Sequence, residues 1–200
     1  MGYDLLAAIF FVLMTPFVLA AFVAFWFVNA RNHEELARSW GAYARGRALD
    51  FAPPEGEWPN RSAARITWAS GDATLRLTTV GREAKVRTRL VVRPRATLLG
   101  SLRWICEEGA APRVRTAERP TGFTERLVSE RVRRALLELR QRDRVTLSYR
   151  RGMLIVEWQG GERNAARLDA ARRLGEALAE RVAEEFHRPS RLRRPAAEHD

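Results

Sequence analysis

The spacing of apolar residues divides the chain into stretches of different kind. Residues 5–30 form a run of 26 positions without Asp, Glu, Lys or Arg. As a helix rising ~1.5 Å per residue it would reach ~39 Å, enough to cross ~30 Å of hydrocarbon with some tilt. Tyr3 stands at one end and Trp26 with Phe27 near the other, where amphipathic rings favour the interfaces. Pro16 removes one backbone donor, a loss that membrane helices tolerate as a mild kink when Thr15 or water satisfies the freed carbonyl. A cleaved signal peptide would have a basic start and an apolar core of ~7–15 residues. Here only Asp4 is charged ahead of a much longer core, although Val28-Asn29-Ala30 loosely matches a small-residue cleavage site.

Behind this run the apolar period is helical. Leu36, Trp40, Tyr43 and Ala44 share one face of a predicted juxtamembrane helix, residues 31–50, capped at Asn32. The stretch is too short for a coiled coil, so Trp40 and Tyr43 are expected to dock onto the body that follows. Three prolines at 53, 54 and 59 then mark a loop. Next the period falls to two. Ile66 and Trp68, Leu75 and Leu77, and Val86 with residues 90–92 predict a meander turning at Gly71 and Gly81. Residues 102–106 make a fourth strand, and residues 107–120 read as irregular. Ser129 caps a helix through Arg142 with Val132, Ala135, Leu136 and Leu139 as its apolar stripe. A hairpin about Arg151-Gly152 follows. The last helix starts near Asn164, and Leu168, Ala171, Leu174, Leu178, Val182 and Phe186 line one face of it. Residues 188–200, with two prolines and four arginines, read as a disordered basic tail.

The expected architecture is α+β: a transmembrane anchor (1–30), the juxtamembrane helix, and a soluble domain (51–187). The domain should hold an antiparallel sheet of about six strands with two packing helices, in the order ββββ-α-ββ-α.

Charge adds orientation. The net charge is +11, and Asp4 is the only charged side chain ahead of Arg31, so the body is more positive still. Arg31, Arg38, Arg45 and Arg47 follow the apolar run while no basic side chain precedes it, which by the positive-inside rule places the N-terminus outside and the domain in the cytoplasm of an inner membrane. Lone Cys106 permits no internal disulfide and agrees with a reducing compartment. Every basic residue but Lys85 is Arg, a preference a GC-rich genome explains. The excess itself lies mainly in residues 51–150. Arg76, Arg87 and Arg89 fall together on the polar face of the meander and are the candidate contacts for an anionic partner.

Candidate chemistry changes this picture little. No phosphate-cradling loop or nucleophile elbow occurs, and His33-Glu34-Glu35 lacks the second histidine of a zinc-protease helix. Cys106 is followed by two glutamates, which oppose thiolate formation. No catalytic residue, cofactor or metal ligand is therefore assigned, and no enzymatic activity is expected. Trp68, Trp104, Tyr149 and Trp158 could stack bases, but core burial explains them equally well, so nucleic acid is disfavoured. The partners expected are membrane lipid, through the apolar run, and a protein. The alternative is an Arg-rich surface that reads anionic lipid headgroups or nucleic acid.

The order of features is similar to that of a group of bacterial single-pass membrane proteins without assigned activity. It runs from Leu36-Ala37 and Trp40, through the Arg-rich meander, to Thr121-Gly122-Phe123 and Leu127-Val128-Ser129, and then the helix, hairpin and terminal helix. Their soluble part carries a TGD-x-x-F-D type segment before the penultimate helix. Here neither Gly122 nor Phe123 is followed by aspartate. The resemblance implies a fold and no activity.

Overall fold

A computed structural model describes residues 2–56, 62–81, 86–107, 113–140 and 144–187. The fold is α+β: a long apolar N-terminal helix leads into a fully antiparallel sheet covered on one face by helices. The elements are α1 (Gly2–Arg45), β1 (Asp50–Ala52), β2 (Arg65–Ser70), β3 (Ala73–Val80), β4 (Arg87–Arg93), β5 (Ser101–Cys106), β6 (Val114–Arg119), α2 (Phe123–Leu127), α3 (Glu130–Arg140), β7 (Val145–Arg150), β8 (Met153–Gln159) and α4 (Ala165–His187). The strand order is β1-β2-β3-β4-β8-β7-β5-β6.

The sheet has eight strands rather than about six. The two additional ones are its edges. β1 is three residues long and precedes Pro53, too short to display a period. β6 falls within the stretch read as irregular. Its sequence Val-Arg-Thr-Ala-Glu-Arg is almost wholly exposed, so no buried alternation announces it. Ladder hydrogen bonds to β5 hold it in place. The predicted tail at 188–200, the helix end at 141–142 and the turn residues Arg82 and Glu83 lie outside the described residues.

Register explains the two faces. Cross-strand partners share a face, and Ile66, Leu77, Leu90, Val156, Leu147 and Trp104 form one continuous buried row across six strands. A second row, Leu75, Val92, Leu154, Tyr149 and Leu102, lies beside it. Helix α4 packs on these rows with Leu168, Ala171, Leu174, Leu178 and Val182, as its period predicts. Phe186 departs from that stripe: it is 53% exposed in the helix's last turn. Gly175 lets α4 approach closely, because a Cβ there would come within 2.5 Å of Leu75 and 3.3 Å of Leu90. Ser129 caps α3 as expected, accepting from the Val132 amide at 3.4 Å. Asn164 caps α4 through the Ala166 amide at 2.9 Å.

The apolar run and the juxtamembrane helix are one uninterrupted helix of 44 residues, so Asn32 lies inside it rather than capping a separate helix, and it ends at Arg45 rather than at residue 50, where β1 begins. It is long and apolar enough to cross a membrane, and described side chains from Phe10 to Val28 project away from the rest of the chain. The Thr15 hydroxyl donates to the Phe11 carbonyl at 2.6 Å, one residue before the carbonyl whose partner Pro16 removes.

The second half of α1 joins the core. Leu36, Trp40, Tyr43 and Ala44 are buried. Trp40 Nε1 donates to the Glu162 carbonyl at 2.6 Å, and Tyr43 donates its hydroxyl to Asp169 Oδ1 at 2.9 Å. Arg47 clasps Asp169 through both Nε and Nη2 and lies 4.2 Å over the Tyr43 ring. Nearer the apolar run, Arg163 bridges Glu35 at 3.0 Å and the Asn32 carbonyl at 3.1 Å.

Two predictions test this joint. Trp40→Ala should cost about 3–5 kcal/mol of folding free energy, whereas Trp40→Phe, which mainly loses the hydrogen bond, should cost about 1–2 kcal/mol, read by denaturant unfolding of the full chain in detergent. The Arg47 hydrogen bonds hold the Asp169 carboxyl below its ordinary value of 3.8, against burial that pushes it up. A depressed carboxyl contributes stability above its unfolded value and loses it as pH falls through the lower folded one. Asp169→Asn should therefore destabilise the chain at neutral pH and make the loss of stability below about pH 4 shallower.

Candidate functional site

The face of the sheet opposite the helices carries the other half of each strand's alternation. Arg65, Thr67, Thr74, Arg76, Thr78, Arg87, Arg89 and Arg93 stand there on β2, β3 and β4. The row through Arg76 continues across Val91, Ile155, Ser148 and Arg103, and the row through Arg89 continues to Glu157, Thr146 and Ile105. No helix among the described residues covers this face. The excess charge of residues 51–150 is thus concentrated on one surface by a two-residue period.

Arg76, Arg87 and Arg89 all lie on it, as their spacing in sequence predicts, but their surroundings differ. Arg89 pairs closely with Glu157 at 2.6 Å, and Arg87 reaches the same carboxylate at 3.8 Å. Both charges are partly neutralised. Arg76 has no carboxylate within ion-pair distance among the described residues. Burial destabilises its charge most, and the like charges of Arg93, Arg65 and Arg89 add to that, so its pKa is depressed.

Arg76 instead groups with two arginines that spacing alone did not single out. Arg65, Arg76 and Arg93 line a shallow groove of about 440 Å³ together with Thr67, Thr74 and Asp50. Thr67 is the cross-strand partner of Arg76, and Thr74 that of Arg93. Val91 and Phe51 supply apolar wall, and Val91 is buried although it sits on the open face. Three guanidinium groups, two hydroxyls and one carboxylate thus line a partly desolvated surface. Such a set can bind an oxyanion through charge-assisted hydrogen bonds. The sequence signal that could have found Arg65 and Arg93 was register: each sits one strand from Arg76, two residues from its direct neighbour.

Other groups singled out in sequence are absorbed by the fold. Trp104, Tyr149 and Trp158 are buried on the helix-covered face, and Trp68 packs against the same core, so none offers a ring to the open face. Cys106 is fully buried, and burial, more than the neighbouring Glu107, pushes its thiol pKa up. In Thr121-Gly122-Phe123, Gly122 has φ 82° and Phe123 is buried against Tyr149 at 5.4 Å between ring centroids. Glu118 accepts the Gly122 amide at 2.9 Å and the Thr124 amide at 2.5 Å, and its bonds to Thr124 lead in lowering its carboxyl pKa. That segment therefore works as a start for α2. The buried carboxylate of Glu162 pairs with Arg167 at 3.0 Å, and that of Glu185 with Arg181 at 2.9 Å and Arg126 at 3.0 Å.

No protein-family model matches the chain, and no curated protein matches it in sequence. Among solved structures it is similar to the mycobacterial trehalose monomycolate transport factor A, TtfA, with a TM-score of 0.54 and 9% sequence identity, covering 74% of this chain and 94% of that one. At that identity the likeness is one of fold.

If Arg76 is held among like charges without a structural partner, removing its charge should not harm the fold. Arg76→Gln is expected to raise stability by about 0.5 kcal/mol at low salt, the gain shrinking as salt screens the cluster. Glu157→Gln, which releases Arg87 and Arg89, should instead lower stability by up to about 1 kcal/mol. Urea unfolding at about 0.05 M and about 0.5 M salt reads both.

Proposed function

We propose that the chain is a non-enzymatic, membrane-anchored interaction protein. Residues 5–30 cross an inner membrane with the N-terminus outside, and the sheet domain faces the cytoplasm, held to the span by the docked half of α1. Its open, Arg-bearing face receives a protein partner. The observation that carries this reading is the pairing of an apolar helix, continuous into the core, with an uncovered sheet face on which arginines outnumber carboxylates. The buried carboxylates are each engaged by arginine, which favours a structural role for them. The solved structure of similar fold is named a transport factor, and a part in transport is in keeping with this reading.

The second reading, an Arg surface for anionic headgroups or nucleic acid, rests on the same charge. Binding of the full chain in neutral nanodiscs to anionic vesicles and to DNA, measured against salt, separates it from the first, because backbone electrostatics give a steep salt dependence.

Fusions test the topology. A reporter active only in the periplasm, joined at the C-terminus, should stay silent, and the same reporter at the N-terminus should be active; the opposite pattern reverses the orientation. In-cell cross-linking with mass spectrometry should recover the same protein partner in replicate experiments, and repeated failure removes the interaction reading.

A further inference from the structure

Height above the membrane decides what the open face can meet. Arg163 grips Asn32 and Glu35, only a turn or so beyond the end of the apolar run. From there α4 leads away from the span beside α1: Asp169 meets Arg47, and Gly175 farther along lies on Leu75 and Leu90. The start of β4 is level with Leu36, because a Cβ on Gly161 would lie 3.2 Å from Leu36 and 3.8 Å from Val86. The strand then runs in the direction of α4, and Arg76 pairs with Val91. Six helical residues from Ala30 to Leu36 span ~9 Å, and five strand residues from Val86 to Val91 span ~16 Å. Even with these segments inclined, the groove stands on the order of 20 Å beyond the apolar run, whereas a headgroup layer adds only ~5–8 Å to each side of the hydrocarbon. Pro16 lies inside the apolar run, and from there to Arg45 the helix continues without a break in which a hinge could lower the domain.

We infer that the groove formed by Arg65, Arg76 and Arg93 with Thr67 and Thr74 is the anchoring point for an acidic segment of a protein partner, a run of Asp or Glu side chains, and not for the headgroups of the membrane that holds the chain. The inference rests on the interaction reading and deepens it. Charge complementarity selects the occupant. Among the described residues Asp50 is the only carboxylate lining the groove, against three guanidinium groups. These three make no ion pair among the described residues, whereas Arg87 and Arg89 on the same face share Glu157. The Val91 wall lowers local hydration, which strengthens each guanidinium–carboxylate contact. The threonine hydroxyls supply donors that a carboxylate can use when an arginine bonds it side-on. An extended acidic strand fits the setting, since side chains at every second position could each find an arginine along the sheet.

The test uses the full chain in phosphatidylcholine nanodiscs and a fluorescent oligo-glutamate peptide at low salt. Saturable binding is expected, weakened about tenfold by Arg76→Gln and largely kept by Arg76→Lys. Arg150→Gln, on the same face but outside the groove, should change it less than twofold. Equal losses from Arg76→Gln and Arg150→Gln, or no binding at all, overturn the inference. So does displacement by millimolar inorganic phosphate, which marks a small-anion site, or loss of binding in phosphatidylserine nanodiscs, which marks lipid as the occupant. In cells, a partner cross-linked equally well by wild type and by Arg76→Gln sinks the groove while leaving the interaction reading intact. Absence of any wild-type cross-link removes both. Unfolding of Arg76→Gln no earlier than that of the wild type shows that a binding loss is not a folding loss.

Discussion

Trp40 sits where three segments meet, and the rest of the molecule is placed by that meeting. Its ring is wholly buried between α1 and the sheet, and its indole N–H is satisfied by the carbonyl of Glu162. The Glu162 amide donates in turn to the Thr88 hydroxyl at 3.0 Å, and Thr88 donates to the Gly160 carbonyl at 2.8 Å. The Glu162 carboxylate accepts from Trp158 Nε1 at 3.3 Å and from the Asn164 amide at 2.8 Å. One short connection between β8 and α4 therefore ties the anchor helix, two central strands and the longest domain helix. A buried polar group left without a partner costs about 1–3 kcal/mol, so a network like this one specifies a single arrangement.

Through that joint the apolar half of α1 continues into the sheet domain without a break in the helix. A flexible linker would let the domain lie down on a charged surface. A continuous helix with Leu36, Trp40, Tyr43 and Ala44 in the core fixes the direction in which the sheet is presented. Arg163 and Arg47 reinforce the two ends of the contact with ion pairs to Glu35 and Asp169. Exposed pairs such as Arg163–Glu35 contribute little energy individually, and their value lies in setting the angle of the joint.

The sheet separates two kinds of chemistry across one layer. On the covered side, aromatic and aliphatic rows are packed by α4 and by Phe123, Leu127, Val132, Leu136 and Leu139. On the open side, arginines are gathered by register more densely than their spacing along the chain conveys. Glu157 neutralises one end of that surface and leaves the Arg76 end positive. Like charges brought close cost stability unless a ligand relieves them, which is the common signature of a surface shaped for binding.

The apolar run, the docking of Trp40 and Tyr43, the meander, the late hairpin and the amphipathic α4 were all legible in the sequence, because each is a local period of 2 or 3.6 residues set by backbone geometry. So was the sharing of one face by Arg76, Arg87 and Arg89. Tertiary structure alone decided the rest. β1 is too short, and β6 too polar, to carry a period, and both exist through the strand beside them. The order of strands sets β8 against β4, and with it Glu157 against Arg89, from positions 68 residues apart. That pairing, which no local pattern encodes, separates the neutralised arginines from the free ones. Arg65 and Arg93 stand beside Arg76 through the β2–β3 and β3–β4 pairings, whose register, rather than the spacing of these residues along the chain, brings them into one groove.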